Sequence, residues 1–276
     1  MAAYDPAMLL SEVGYARPAT LEQALGVLAE YPGARALAGG QTLLNVMKAR
    51  AAAPDVLVDL AGIRELKGIE LRSDGTLELG PMTTCSELIA SAEARARPIL
   101  GEVCAQIADV QVRNRGTIGG NVCSSDPTNH LLPLLTAVGA SFTIAGGDGE
   151  RTVPAEEFFL GVYMTAAGPG ELLTRITVPP GRSDGFASVA VGREGTCIVN
   201  AAASANGSLR VVLGCVGATP VAVEPSSGEE DAVRGAVREA GLEPPSDVHA
   251  SADYRLHLAE VVAARATRQA LERAGH

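Results

Sequence analysis

Two short stretches carry residues suited to chemistry: Ala38-Gly39-Gly40-Gln41-Thr42-Leu43 and Thr117-Ile118-Gly119-Gly120-Asn121. Tandem glycines let backbone N–H groups approach an anion, and a helix opening behind them adds a favourable dipole. Gly-Gly before a helix is also a plain turn, so either loop alone says little. Neither stretch has the G-x-G-x-x-G spacing of a Rossmann site, and neither carries the Lys of a P-loop. Together they suggest a clamp that grips a diphosphate from both sides, the group that a dinucleotide presents.

The other reactive side chains form no comparable pattern. Glu156-Glu157 and Glu229-Glu230-Asp231 lack an apolar pocket around them and read as solvated faces rather than catalytic carboxylates. Ser124-Ser125 has no nucleophile-elbow or base motif beside it. His249, His257 and His276 show no metal-ligand spacing and read as exposed. The five cysteines, Cys85, Cys104, Cys123, Cys197 and Cys215, contain no C-x-x-C pair. They read as free thiols, most of them small buried hydrophobes, and no metal site is expected.

Composition bounds the rest. The chain has 276 residues, with 22 Lys+Arg against 32 Asp+Glu and a formal net charge of −10. That balance argues against a dedicated nucleic-acid binder, which needs clustered basic residues. At 47% hydrophobic residues the chain can build one or two real cores, and with no Trp these must rest on Leu, Val, Ile and Ala. No stretch reaches the ~18 uninterrupted apolar residues of a spanning helix. The opening MAAYDPAML lacks a basic region before an apolar run, so no signal peptide is expected and the reading is cytoplasmic.

The elements that must position the two loops follow from periodicity and turn chemistry. Thr20 caps a helix over 21–29, Ala34–Ala38 reads as a short strand, and a helix over 43–50 and a strand over 56–60 follow. Further on, the pattern predicts a strand at 76–80, helices over 85–96, 100–110 and 126–137, and a hairpin over 141–153. A strand at 172–178 ends at Pro179-Pro180-Gly181, the best internal boundary. Beyond it come three antiparallel strands near 186–191, 197–205 and 209–216, with Asn206-Gly207 turning between the last two, then helices over 228–240 and 254–274.

These residues carry a resemblance. Ala38–Leu43 with Thr117–Asn121 resembles the paired FAD motifs in the flavin subunit of molybdenum hydroxylases, the family of xanthine dehydrogenase. Val58-Asp59-Leu60, Gly80-Pro-Met-Thr-Thr84, Gln111-Val-Arg-Asn114, Asp126-Pro127, Phe158-Phe-Leu-Gly161, Gly170-Glu-Leu-Leu173, Leu213-Gly214 and Tyr254-Arg255 sit in family order, so the resemblance covers nearly the whole chain. It implies an α+β fold: a two-part FAD-binding fold of the PCMH (vanillyl-alcohol oxidase-like) type plus a C-terminal three-stranded antiparallel sheet with helices. The parts would be 1–58, 59–178 and 179–276.

By the same resemblance, Ala38, Gly39, Gly40, Gln41, Thr42 and Leu43 hold the FAD pyrophosphate and ribityl from one side. Thr117, Ile118, Gly119, Gly120 and Asn121 hold them from the other. Ile107 falls at an adenine contact, Leu173 near the flavin, and Asp126 and His130 on the FAD-contacting run, His130 standing where many relatives have Asp. Core packing is the alternative reading for Ile107 and Leu173. Gly195-Thr196-Cys197 replaces a Gly-Asp-aromatic of relatives, which removes an aromatic cover for the flavin.

The implied function is electron transfer by non-covalent FAD, with no catalytic residue of the chain's own. Molybdopterin would sit in a large partner subunit and two [2Fe-2S] clusters in a small one, in a dimer of heterotrimers, with electrons leaving to an external acceptor. The competing readings are an autonomous flavin oxidoreductase and a scaffold that has lost FAD.

Overall fold

The computed structural model describes residues 10–192 and 195–275. The opening MAAYDPAML, Arg193-Glu194 and His276 lie outside the described residues, and with them the readings of the leader and of His276.

The first unit runs β1 (Gly14–Ala16), α1 (Leu21–Glu30), β2 (Arg35–Leu37), α2 (Leu43–Lys48) and β3 (Val56–Asp59). Thr20 caps α1 as its spacing predicts, with its hydroxyl accepting from the Gln23 N–H. β3 is the central strand, parallel to β1 on one side and β2 on the other. β1 is too short for its sequence to announce it; Gly14 joins because its N–H reaches the Asp55 carbonyl at 2.8 Å.

The middle unit follows with β4 (Ile69–Leu71), β5 (Leu77–Leu79), α3 (Cys85–Ala90), α4 (Ile99–Cys104), α5 (Val110–Arg115), α6 (Ile118–Ser124) and α7 (Leu131–Ala137). Then come β6 (Ser141–Gly146), β7 (Gly149–Pro154), the single turn α8 (Ala155–Phe158), the small pair β8 (Phe159–Gly161) and β9 (Met164–Thr165), and β10 (Leu172–Val178). Five strands form one sheet in the order β4-β5-β10-β6-β7, and the helices cover it. Phe142, Phe158 and Phe159 gather at its base, with ring centroids 4.3 to 5.8 Å apart.

Three expected helices are shorter than their apolar periodicity suggests. Ser91 leaves the helical region after α3, and its hydroxyl accepts from the Ala94 N–H to open a separate 3₁₀ turn. The helix expected over 100–110 breaks after Cys104, because Ala108 turns left-handed and Asp109 caps α5 through the Val112 N–H. The Asp126 carboxylate takes the Thr128 N–H at 2.9 Å, so 126–129 is a turn and α7 begins only at Leu131.

The last unit contains β11 (Asp184–Ala190), β12 (Cys197–Ser204), β13 (Arg210–Gly214), β14 (Val221–Val223), α9 (Glu230–Glu239) and α10 (Ala252–Ala274). The three expected antiparallel strands are present, and β14 adds a fourth at the edge. It is not legible in the sequence because Pro220 and Pro225 bracket only four residues within a loop-like run. α10 lies on this sheet through Ala259, Ala263, Ala266 and Ala270, all fully buried. The approach is close enough that a Cβ on Gly185 would stand 2.0 Å from the Ala266 carbonyl oxygen.

The cores interlock. Leu172 at the start of β10 packs with Val58, Ile63 and Met82 of the first core, while Leu173 turns to the middle core. Phe186, Ala202 and Val212 from the last sheet also pack into the middle core.

Candidate cofactor-binding site

The two glycine stretches meet in space. A Cβ on Gly39 would lie 2.1 Å from the Arg115 carbonyl oxygen and 2.9 Å from the Gly116 Cα. A Cβ on Gly120 would meet the Ala38 Cβ at 3.4 Å. Backbone from 38–41 and backbone from 115–120 therefore touch where each lacks a side chain. The glycines bring the loops together as well as leaving room above them.

The two loops present different groups. Gly40 is left-handed, at φ +75°, and turns the chain between β2 and α2. Among the described residues, the N–H groups of Gly39, Gly40, Gln41 and Thr42 meet no backbone or side-chain acceptor. The Gln41 amide folds back to the Gly39 carbonyl at 3.2 Å, and Asn45 binds the Gln41 carbonyl at 2.7 Å, which fixes the loop without using those donors. A row of unpaired N–H groups on adjacent residues can accept an anion.

In the second stretch the donors are already committed. Thr117 caps α6, its hydroxyl accepting from the Gly120 N–H at 3.0 Å. Ile118 donates to the Thr83 carbonyl, Gly119 to Pro81 and Asn121 to Thr117. Gly119 lies so close to Pro81 that a Cβ would come within 2.4 Å of it. Gly80-Pro-Met-Thr-Thr84 is thus the bracket that pins α6. The second glycine pair is the first turn of this helix rather than a loop before one. It offers the Asn121 side chain, whose Oδ1 is buried without a hydrogen-bond partner. A buried carbonyl-type oxygen left unpaired costs about 1–3 kcal/mol, which a bound donor would relieve.

The remaining residues of interest fall into three groups. Asn129 donates to the Asn121 carbonyl at 3.1 Å, joining the Asp126–His130 turn to α6. Asp126 accepts from Thr128, and the Tyr163 hydroxyl stands 3.4 Å away; that carboxylate and burial raise the Tyr163 phenol above its ordinary range. His130 looks the other way, its Nδ1 3.1 Å from Asn200 Nδ2 and its ring 5.2 Å from Phe186. Ile107 packs half-buried on the middle core, with its carbonyl held by Arg113 at 2.9 Å. Leu173 is buried in that core. Ile118 places its side chain there too, so it supports the site from beneath.

The sequence pattern did not single out Arg115, Gly116 or Asn129. Arg115 is exposed and forms no ion pair among the described residues, and its backbone is the surface that Gly39 packs on. Arg115 and Gly116 emerge only from their fit to Gly39, more than 70 positions earlier in the chain, and Asn129 only from its bond to the Asn121 carbonyl.

The residues present fit a dinucleotide. Gly39–Thr42 keep unpaired N–H groups, their loop touches α6 through Ala38 and Gly120, and α6 carries an unpaired acceptor, Asn121 Oδ1. Among the described residues there is no group of three or more His, Cys, Asp or Glu that could hold a metal ion, and no helix is long and apolar enough to cross a membrane.

Known proteins resemble this chain in sequence and fold. A family profile described as the FAD binding domain in molybdopterin dehydrogenase matches residues 11–181. The carbon monoxide dehydrogenase medium chain of Afipia carboxidovorans is 37% identical, over 97% of this chain and 99% of that relative. Among solved structures, a carbon monoxide dehydrogenase from Hydrogenophaga pseudoflava matches with a TM-score of 0.91 and 34% identity, covering 96% of this chain and 99% of that one. Quinoline 2-oxidoreductase from Pseudomonas putida 86 matches with a TM-score of 0.88 and 34% identity, covering 97% and 99%.

Proposed function

Because this chain belongs to the family of FAD-binding domains in molybdopterin dehydrogenases, we propose that it is the flavin-holding electron-transfer subunit of a molybdenum hydroxylase. The observation that carries the reading is the contact of the two glycine stretches, Gly39 against Arg115 and Gly116 and Gly120 against Ala38, together with the free N–H groups of Gly39–Thr42 and the unpaired Asn121 Oδ1. In this reading Ala38–Leu43 hold the pyrophosphate by backbone N–H groups, and Thr117, Gly119, Gly120 and Asn121 close the other side. Asn121 Oδ1 accepts from a ribose or ribityl hydroxyl. Asp126 and His130 stand beyond Asn121, and Ile107 and Leu173 give apolar contacts at the adenine and flavin ends.

FAD, held non-covalently, supplies the redox chemistry. The chain's own residues bind it, orient it and limit water around it; none of them has to move a proton. A large subunit with molybdopterin would oxidise the substrate and a small subunit with [2Fe-2S] clusters would deliver the electrons, in a dimer of heterotrimers located in the cytoplasm. The external acceptor takes them from this subunit. The division into 1–58, 59–178 and 179–276 belongs to the same proposal, supported by a separate sheet in each part, the first of which runs one residue past its boundary to Asp59. The names of similar proteins range from carbon monoxide to quinoline oxidation, so substrate choice is assigned to the large partner.

Purification from the native host under mild conditions tests this. Flavin absorbance with one large and one small co-purifying chain is expected. Flavin without partners, but with turnover of a reduced substrate, would instead favour an autonomous oxidoreductase. A colourless chain with partners that takes up no FAD would favour a scaffold.

A further inference from the structure

Asn200 is a polar residue in an apolar place. Every residue of β12 is buried, and Asn200 sits within the strand, wholly out of solvent, between Val199 and Ala201. Gly214 is its partner on β13. A Cβ on Gly214 would stand 2.2 Å from Asn200 Oδ1, so the amide fits only because that partner is glycine. Oδ1 itself is buried without a hydrogen-bond partner. Burying an amide with its acceptor unpaired costs stability, so packing does not explain the residue.

The Nδ2 end is fully used. It meets His130 Nδ1 at 3.1 Å and the Cys197 sulfur at 3.4 Å, one contact for each amide hydrogen. The Cys197 thiol has its own acceptor, the Val189 carbonyl at 3.6 Å, which leaves the sulfur free to accept from Asn200. The group that faces both the sulfur and His130 is therefore the amino end of the amide. A donor aimed at Nδ1 requires that nitrogen to be bare, so the neutral imidazole carries its proton on Nε2. The two ring nitrogens point in widely different directions, which turns Nε2–H away from Asn200. Among the described residues nothing accepts from it. The ring lies against Phe186, half-buried at the end of the 126–130 turn, and the adjacent Asn129 is tied to the Asn121 carbonyl.

We propose that Asn200 is a positioning residue for cofactor binding: it fixes His130 as the Nε2–H tautomer, and that N–H donates to an acceptor atom of the bound dinucleotide. The inference rests on the flavin reading above and adds a residue of the last sheet to it. Asn200 touches no ligand itself and acts through His130. Without the amide, the ring is free to rotate and to exchange its proton between the two nitrogens. Only part of the population then presents the donor, and affinity falls by that fraction.

The test combines FAD titration of the full-length, flavin-stripped chain with long-range proton–nitrogen NMR spectra of its histidine rings, His130→Leu identifying the His130 signals by their loss. The wild type should show a bare Nδ1 and a protonated Nε2 at His130, and the Nε2–H proton should move downfield when FAD binds. Asn200→Asp, equal in size but only an acceptor, should draw a proton onto Nδ1. Asn200→Leu removes the unpaired oxygen together with the donor, so it should keep the fold and bind FAD about tenfold more weakly. In a His130→Leu background the same change should alter FAD affinity by about twofold at most, since Asn200 acts only through that ring. A tenfold loss that persists without His130 would make Asn200 merely structural and overturn the proposal. A proton on Nδ1 in the wild type, or an Nε2–H signal unmoved by bound FAD, would overturn it with the flavin reading intact, whatever the stability of the variants. A wild type that binds no FAD would overturn the flavin reading, and the donor role with it.

Discussion

Arg97 and Asp184 are 87 residues apart in sequence and form a bidentate ion pair in the interior, Nε to Oδ2 at 2.8 Å and Nη2 to Oδ1 at 2.9 Å. Both side chains are almost wholly buried, and Asn206 Nδ2 supplies a further donor to Asp184. The pair ties the middle unit to the first residue of β11, so it sets how the last sheet sits against the flavin-binding part. Arg97 also holds the Pro179 carbonyl at the junction itself. Removing one partner strands a buried charge. Arg97→Ala is therefore expected to lose about 3–5 kcal/mol in urea denaturation. A loss near zero would mean that the pair is not sealed from water.

The two neighbouring glycines of the first loop should answer differently to the same substitution. A Cβ on Gly39 meets backbone of Arg115 and Gly116, which cannot give way cheaply, so Gly39→Ala should cost about 1–3 kcal/mol and spread the loops. A Cβ on Gly40 meets only side chains, Leu44 at 3.0 Å and Leu37 at 3.6 Å. Its cost is that of a left-handed residue, about 1 kcal/mol. Thermal melts with flavin occupancy on both variants check this; equal retention of flavin by the two would contradict the packing of Gly39 on Arg115.

Gly235 supplies the opposite case. It lies inside α9, has no left-handed φ, and a Cβ there would meet nothing within 4 Å. Gly235→Ala should stabilise the protein by about 0.5–1 kcal/mol, measured as a raised urea midpoint at unchanged slope. Destabilisation would show that α9 is not helical there.

Much of this frame was legible because its signals are local. Thr20 and Thr84 cap helices where their spacing says they should, and Asn206-Gly207 turns the β12–β13 connection with Gly207 at φ +99°. The two glycine stretches were legible as a pair, and so was their order along the chain. What stayed hidden depends on distant partners. Gly119 needs Pro81, Gly39 needs Arg115, and β1 exists only because β3 lies beside it. Turn chemistry also overrode periodicity at Ser91, Ala108 and Asp126, where a side-chain bond or a left-handed residue ends a helix that apolar spacing alone would continue. Cys197 reads as a buried thiol from sequence, which it is, but no spacing reveals the bulge beside it or the Asn200 amide on its sulfur.

Acidity should register the surroundings of Cys197. The Cys215 thiol is the largest influence drawing Cys197 down to about 6, with His130 and Asn200 adding to it against the opposing effect of burial. An unfolded thiol titrates near ~8.5. Between these values the folded chain has released a proton that the unfolded chain still binds, so stability rises with pH across the window. The contribution is complete above the unfolded value and is lost as pH falls through about 6. Urea unfolding under reducing conditions at several pH values should show the gap between wild type and Cys197→Ser widening as pH rises. A constant gap would rule out a depressed thiol at this position.

Titration of FAD and FMN into flavin-stripped chain, wild type and Gly120→Val, tests the central claim most directly. Gly120 sits where a side chain would press on Thr117 Oγ1 and Ala38, between the two loops. The account predicts one FAD per wild-type chain, FMN weaker by a factor on the order of ten or more for want of the pyrophosphate, and no retained FAD in the variant that still folds. Equal binding of FMN and FAD, or full FAD occupancy in folded Gly120→Val, would contradict a clamp on the diphosphate.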